Sequence, residues 1–320
     1  MFTSSMKMLK TEMTYKGLYE QGVAALKDAG VPDAELDARL MLEYVCHTDR
    51  NTLYAHGDTP VSEVMCEMFD RLTERRALRI PLQHLLGTQE FMGLTFVVDE
   101  NVLIPRQDTE CLVEEALIDT ADGDRVLDLC TGSGCILLSI MNYKNDIEGV
   151  GTDISPAALK VAKLNAERLG ADRAGASWNG KLPVFVESDL FGQLSDRLSM
   201  LGTQASDTHT SSVLGAPPQF DLIVSNPPYI RTDVIETLEP EVKDHEPRCA
   251  LDGGADGLVF YRRIIVDAPA FLRQGGRLML EIGYDQGEAV SSLMEASGFS
   301  EVKVVKDFAG NDRVVKAKYR

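Results

Sequence analysis

Arg125-Val-Leu-Asp-Leu-Cys-Thr-Gly-Ser-Gly-Cys-Ile136 carries an apolar run into two closely spaced glycines and out into a second apolar run through Leu137, Leu138, Ile140 and Met141. That order reads as a buried strand, a glycine-bearing turn and a helix whose first N–H groups point back over the turn. Gly132 and Gly134 let the backbone approach a ligand closely, as a nucleotide-cofactor loop requires. The spacing is not Gly-x-Gly-x-x-Gly, and no lysine follows as a phosphate-binding loop would need.

Downstream, Glu148-Gly-Val-Gly-Thr152 predicts a second strand that ends at Asp153. An acidic side chain there can accept hydrogen bonds from both hydroxyls of a ribose, or it can cap the helix begun by Ser155-Pro156. Further strands are predicted at Val184 to Glu187, Phe220 to Ser225, Gly276 to Ile282, Glu301 to Lys306 and Arg313 to Lys318, with helices between most of them. This alternation predicts an α/β fold, a mostly parallel sheet covered on both faces and closed by an antiparallel pair at one edge. Ligands of such sheets sit at the carboxyl ends of the strands. The glycine loop, Asp153, Asp189-Leu190 and Asn226 all follow strands in that sense, so one crevice is expected to collect them.

Ser225-Asn226-Pro227-Pro228-Tyr229 follows the apolar run Phe220 to Val224 directly. The two prolines have fixed φ and no N–H, so the carbonyls around Asn226 remain acceptors able to grip both hydrogens of a planar NH2 group. The Asn226 side-chain oxygen and the Pro227 carbonyl are the candidate catalytic acceptors, and Pro228 and Tyr229 complete a candidate substrate site. Tyr229 reads equally as an aromatic wall against substrate and as a boundary residue half-packed on the sheet.

Taken together these features resemble the class I S-adenosylmethionine-dependent methyltransferases, with their seven-stranded Rossmann-like sheet. Pro81-Leu-Gln-His-Leu-Leu-Gly-Thr-Gln-Glu-Phe-Met-Gly-Leu94, Val102-Leu-Ile-Pro-Arg-Gln-Asp-Thr-Glu110 and Glu246-Pro-Arg-Cys-Ala-Leu-Asp-Gly-Gly-Ala-Asp-Gly-Leu258 narrow the likeness. With the Asn-Pro-Pro-Tyr box, they resemble the release-factor glutamine methyltransferases of the PrmC/HemK family. The resemblance implies S-adenosylmethionine as cofactor, held by Cys130, Thr131, Gly132, Ser133, Gly134, Asp153, Leu190 and Asn226. It implies as substrate the glutamine of the Gly-Gly-Gln loop of class-1 peptide release factors, methylated on its side-chain nitrogen.

Two positions depart from the family pattern. Cys130 stands where the usual loop has its first glycine, so its backbone is expected to avoid conformations that only glycine tolerates. Leu190 stands where many relatives set an aromatic residue against adenine and is expected to act as an apolar lid. Arg106, Asp108 and Thr109 match a family segment near the cofactor, although Asp108 or Thr109 can equally cap a helix over Glu110 to Ile118. Glu246 and Asp256 lie in a matched block and receive no role from the sequence.

Composition is ordinary for a folded soluble chain: 320 residues, 44% hydrophobic and 26% charged. The formal charge of -18 argues against broad binding to a nucleic acid backbone and favours a protein partner. The six cysteines contain no Cys-x-x-Cys pair and the start carries no secretory leader, so reduced thiols, a cytoplasmic location and no bound metal are expected. No apolar run approaches a membrane span.

Before the hairpin, Tyr15, Leu18, Tyr19, Val23 and Leu26, then Leu36, Leu40, Met41, Tyr44 and Val45, then Met65, Met68, Phe69 and Leu72 recur at helical spacing. They predict a helical bundle whose methionine-rich stripe reads as core before it reads as a partner groove. The domain boundaries expected are 1–88 for a helical substrate-recognition domain, 89–108 for a linking hairpin, with its alternation over Phe91 to Leu103, and 109–320 for the methyltransferase domain. Ser195 to Gln219, rich in Ser, Thr, Gly and Pro, reads as a surface insertion. Other planar-amine substrates, a ribosomal-protein glutamine or an adenine, suit the same box, and a non-catalytic cofactor-binding regulator of translation is the remaining alternative.

Overall fold

The computed structural model describes residues 12–171, 178, 181–200 and 217–320, and two compact units divide between Leu86 and Gly87. The first is helical: α1 (Tyr15–Asp28), α2 (Ala34–Cys46), α3 (Arg50–Ala55), α4 (Glu63–Ala77) and α5 (Leu82–Leu86). Thr14, Asp49 and Ser62 accept N–H groups in the first turns of α1, α3 and α4, which fixes where those helices start. Leu18, Leu26, Met41, Leu42 and Phe69 fill the space between them and are fully buried. Gly22 admits the Phe69 ring, since a Cβ there would lie 2.6 Å from Phe69 Cζ. The methionine-rich stripe of α4 divides: Phe69 is buried and Met65 packs against the cluster, whereas Met68 is exposed. The short helices α3 and α5 were not legible in the periodicity, because six and five residues are too few to establish one.

The second unit opens on a hairpin, β1 (Thr88–Phe91) and β2 (Leu94–Val97), turning through Met92 and Gly93. The hairpin lies earlier than the expected alternation over Phe91 to Leu103. Met92 and Gly93 both have positive φ, 50° and 68°, which suits a two-residue turn whose twist matches the strands. Beyond Val97, Val98 and Val102 pack on Ala158 and Val161 instead of pairing as a strand.

The main sheet holds β3 (Arg125–Leu129), β4 (Glu148–Asp153), β5 (Val184–Glu187), β6 (Phe220–Ser225), β7 (Leu272–Glu281), β8 (Ser300–Lys306) and β9 (Asp312–Lys318) in the order 5-4-3-6-7-9-8. β3 to β7 are parallel, and β9 runs antiparallel between β7 and β8. Every residue of β3 is buried, as a central strand covered on both faces requires. One face packs on α6 (Glu110–Asp119), α7 (Cys135–Tyr143) and α8 (Pro156–Ala171). The other packs on α9 (Leu194–Met200), α11 (Val259–Phe271) and α12 (Gly287–Ala296), while the short α10 (Pro240–Lys243) contributes no buried residue. The α9 helix corrects the reading of Ser195 onward as loop, because Leu194 and Leu198 are buried one turn apart on the sheet. Residues 201–216 of that expected insertion lie outside the described residues. Among the described residues no helix is long and apolar enough to cross a membrane.

In the helical unit the ion pair of Arg76 Nε with Asp37 Oδ2, at 2.7 Å, is almost wholly buried. Asp37→Ala would leave the guanidinium buried without its carboxylate and is expected to cost about 3–5 kcal/mol. Loss of hydrogen-exchange protection confined to α1, α2 and α4 in the full chain is the measurement that checks it.

Candidate active site

Sheet register builds the site. Leu129 of β3 lies opposite Thr152 of β4 on one side and Ser225 of β6 on the other, so three loops leave the sheet side by side. The Thr131 N–H donates to the Thr152 carbonyl at 2.9 Å, and the Ser225 hydroxyl to the Leu129 carbonyl at 2.7 Å. From β5, the Ser188 N–H donates to the Asp153 carbonyl at 3.0 Å, which brings Leu190 to the same edge. Above these ends lies a cavity of about 270 Å³. That is near the lower end of small-molecule sites, about 300–1,000 Å³.

Cys130, Thr131, Gly132, Ser133, Asp153, Leu190, Asn226 and Pro228 all line this cavity, whereas Gly134, Pro227 and Tyr229 do not. Gly134 instead starts α7, at φ 81°. Gly132 has φ 55°, and a Cβ built on it would meet nothing within 4 Å, so the space over the loop is open to a ligand. Cys130 corrects the expectation made for it: at φ 58° its backbone occupies the left-handed region. That region costs a non-glycine residue about 1–2 kcal/mol. The turn is over-determined by the bonds of Thr131 and Ser225 on either side, and Cys130 is half-buried against the core. Leu190 is also left-handed, at φ 53°, and 4% exposed, held by the Ser188 hydroxyl donating to its carbonyl at 2.7 Å.

Of the two roles that the sequence offered, Asp153 takes the one at the start of the next helix and adds a bond to the glycine loop. Oδ1 accepts the Ser155 N–H at 2.9 Å, ordering the start of α8, and Oδ2 accepts the Gly132 N–H at 2.9 Å, fixing the glycine loop. Two bonds leave further lone pairs on a carboxylate that borders the cavity, so ribose hydroxyls remain within its capacity. Burial pushes its proton affinity up, and the backbone donors pull it back toward the ionised form. Beneath the loop, Asp128 is fully buried and pushed up to about 7 by that burial; Oδ2 accepts the Thr131 hydroxyl at 2.6 Å and Oδ1 has no partner.

Asn226 donates through Nδ2 to the Thr109 hydroxyl oxygen at 3.2 Å, which leaves Oδ1 as an acceptor. Neither Thr109 nor Asp108 gives a side-chain cap to the helix that follows; Asp108 pairs with Arg313 at 3.0 Å. Tyr229 packs its ring against the core and donates its hydroxyl to Glu281 Oε1 at 3.3 Å. The glycines of the matched block seat that box. A Cβ at Gly253 would lie 2.7 Å from Tyr229 Cα, and one at Gly257, φ 73°, would lie 2.5 Å from the Tyr229 carbonyl oxygen. Glu246 also gains a role: it pairs with Arg106 and accepts the Ile104 N–H at 3.2 Å, holding down a segment that borders the cavity. Asp256 pairs with Arg262 at the surface.

Sequence reasoning missed Phe260, Arg263 and Glu281. Phe260 and Arg263 line the cavity one helical turn apart on α11, and Arg263 pairs with Asp189 at 2.8 Å. Glu281 carried a signal that went unread, a charge within the apolar run Leu278-Met-Leu-Glu-Ile282. All six cysteines are free, and no group of metal-ligating side chains is gathered among the described residues.

Comparison with known proteins agrees with this architecture. The chain is 42% identical over 290 residues to the release factor glutamine methyltransferase of Geobacter sulfurreducens, covering 91% of each. It belongs to the release factor glutamine methyltransferase family. The relative from Caulobacter vibrioides is 39% identical over 292 residues, again covering 91% of each chain. A family model for the PrmC N-terminal domain matches residues 18–87. The hMettl16 catalytic domain, solved in complex with MAT2A 3'UTR hairpin 6, has a TM-score of 0.50 at 17% identity and covers 78% of this chain and 81% of that one. That likeness concerns the fold, which is the class I methyltransferase sheet.

Two outcomes are expected at the loop. Asp153→Ala removes the acceptor of two backbone donors together with the acid at the cavity edge, and should weaken S-adenosylmethionine binding by about tenfold or more in isothermal titration. Cys130→Gly relieves a left-handed side chain at some cost in backbone freedom, and should leave thermal stability unchanged or raised by up to about 1 kcal/mol.

Proposed function

We propose that this chain transfers the methyl group of S-adenosylmethionine to the side-chain amide nitrogen of the glutamine in the Gly-Gly-Gln loop of class-1 peptide release factors. The observation that carries the reading is the Asn226 amide, its nitrogen bonded to Thr109 and its oxygen left as an acceptor beside the cavity. Family membership supports the same substrate.

S-adenosylmethionine supplies an electrophilic methyl on a positively charged sulfur. Its fit rests on three features of this chain: open space over Gly132, the Asp153 carboxylate with spare lone pairs, and apolar side chains at Leu190 and Phe260. Cys130 to Ser133, Asp153, Leu190 and Asn226 are the residues assigned to hold it, with Gly134 turning the chain into α7 behind them.

The amide nitrogen of glutamine is a poor nucleophile because its lone pair is delocalised into the carbonyl. Asn226 Oδ1 and the Pro227 carbonyl accept its two N–H hydrogens, which fixes the amide plane and stabilises positive charge as it develops on nitrogen. Pro227 and Pro228 contribute rigidity, since neither has φ freedom or an N–H to compete. A strong general base is unnecessary: nitrogen becomes acidic once it carries the methyl, and the proton leaves to solvent or a neighbour. Tyr229 helps to set the box from behind, through Glu281.

The helical unit is assigned to gripping the release factor away from the reacting loop. The net charge of -18 suits a basic surface on a protein better than a nucleic acid backbone. Because translation terminates in the cytoplasm, this reading makes the chain a cytoplasmic enzyme.

Intact-mass spectrometry of a release factor incubated with the chain and S-adenosylmethionine should show a gain of about 14 Da that maps to the loop glutamine and is lost when that glutamine is replaced. Asn226→Ala should lower kcat by about 100-fold or more while the fold and much of the cofactor affinity survive. Turnover equal to the unaltered chain would sink the acceptor role.

A further inference from the structure

Charge is unevenly placed around the cavity. Among the residues that line it, Arg106 and Arg263 are the positively charged ones. Arg263 pairs at 2.8 Å with Asp189, which lines the cavity too, so that pair presents no net charge to a ligand. Arg106 pairs with Glu246, which does not line it. The Glu246 side chain is 1% exposed and that of Arg106 40%, so the carboxylate is shut away while the guanidinium borders open space.

We propose that Arg106, anchored by Glu246, binds the carboxylate at the amino-acid end of the cofactor. This rests on the S-adenosylmethionine reading and adds to it a residue that holds the ligand.

Position carries the first step. The strand order 5-4-3-6 spreads the cavity across the ends of β5, β4, β3 and β6. With the ribose on Asp153, after β4, and the methyl group turned to Asn226, after β6, the sulfur and the amino acid lie toward the Asn226 end. Arg106 belongs to that end, because Thr109, three residues on, accepts Asn226 Nδ2 at 3.2 Å. Arg263 belongs to the other end through Asp189, which follows β5.

Chemistry carries the second step. The amino-acid carboxylate is the single negative charge on S-adenosylmethionine, and Asp153, Asp189 and Asp252 all border the cavity. A carboxylate placed among them needs a cation. A guanidinium offers five N–H donors in a planar fork, and Arg106 reaches Glu246 Oε2 through Nη2, which leaves donors for a second carboxylate. Glu246 also accepts the Ile104 N–H at 3.2 Å, so it holds the backbone two residues before Arg106 as well as the tip of the side chain. Rotamer freedom that a long side chain would lose on binding is thereby lost in advance. The substrate amide is a poor alternative ligand. A guanidinium on the glutamine carbonyl would draw the nitrogen lone pair further into that carbonyl, against the effect of the two acceptors at Asn226 and Pro227.

Isothermal titration of the full chain tests this with two ligands that share a nucleoside: S-adenosylhomocysteine, which carries the amino acid, and 5′-methylthioadenosine, which lacks it. Arg106→Gln should weaken the first by about tenfold or more and leave the second unchanged. That change strands a buried carboxylate. The double variant Arg106→Gln with Glu246→Gln leaves no unpaired charge and should give the same pair of results. Undiminished S-adenosylhomocysteine affinity in either variant, or an equal loss for both ligands, would overturn the assignment and leave methyl transfer standing. Failure of the unaltered chain to bind either ligand would overturn the cofactor reading with it.

Discussion

The register of β3 against its two neighbours is the constraint on which the site depends. Because Leu129 faces both Thr152 and Ser225, three strands end level, and the residues after them must share one crevice. A shift of one residue in either pairing would reverse which face of the sheet each side chain meets and would separate Asp153 or Asn226 from the glycine loop. The bonds from Thr131 to Thr152 and from Ser225 to Leu129 then join neighbouring strand ends directly. Asn165 extends the same tie to the hairpin: from α8 it donates to the carbonyls of Val97 and Ser133 and accepts the Val97 N–H.

A site made this way stores unfavourable terms. Cys130 and Leu190 hold left-handed backbones, and Asp128 and Glu281 are carboxyls with a buried oxygen that lacks a partner. Both carboxyls are pushed up to about 7 by burial. A folded-state value above the unfolded one means that their contribution to stability is greatest below the ordinary carboxylate range and is lost as pH rises toward and through 7. At Glu281 the Thr109 hydroxyl, the Arg313 guanidinium and the Tyr229 hydroxyl work against that upward push.

Much of this was legible in the sequence because it was carried by period and by residue type. The run from Arg125 to Leu129 carries Val126, Leu127 and Leu129 across both faces and reads as a buried strand, and Asp153 and Asn226 were found by their position after strands. Other features were illegible for stated reasons. The hairpin was placed too late because alternation continues past Val97, where Val98 and Val102 turn to α8 instead of to a strand partner. Cys130 was expected to avoid the left-handed region because residue type alone gives no measure of how firmly neighbouring bonds hold a turn. Glu246 and Glu281 act on residues far away along the chain, Ile104, Arg106 and Tyr229, and such pairings have no local pattern.

The Asn-Pro-Pro-Tyr box shows why a short motif needs a large support. Four residues can present acceptors, but by themselves they do not choose a direction for them. Gly253 and Gly257 allow a second chain segment to press on Tyr229 and its carbonyl, and Gln286 donates to that carbonyl at 3.1 Å from the start of α12. Thr109 bonds the asparagine from the side, and Glu281 stands behind Tyr229. Of these supports only Thr109 touches the Asn226 amide itself; the others hold Tyr229 and its carbonyl. Residues from four other segments therefore support the four-residue box that the sequence shows as a local motif.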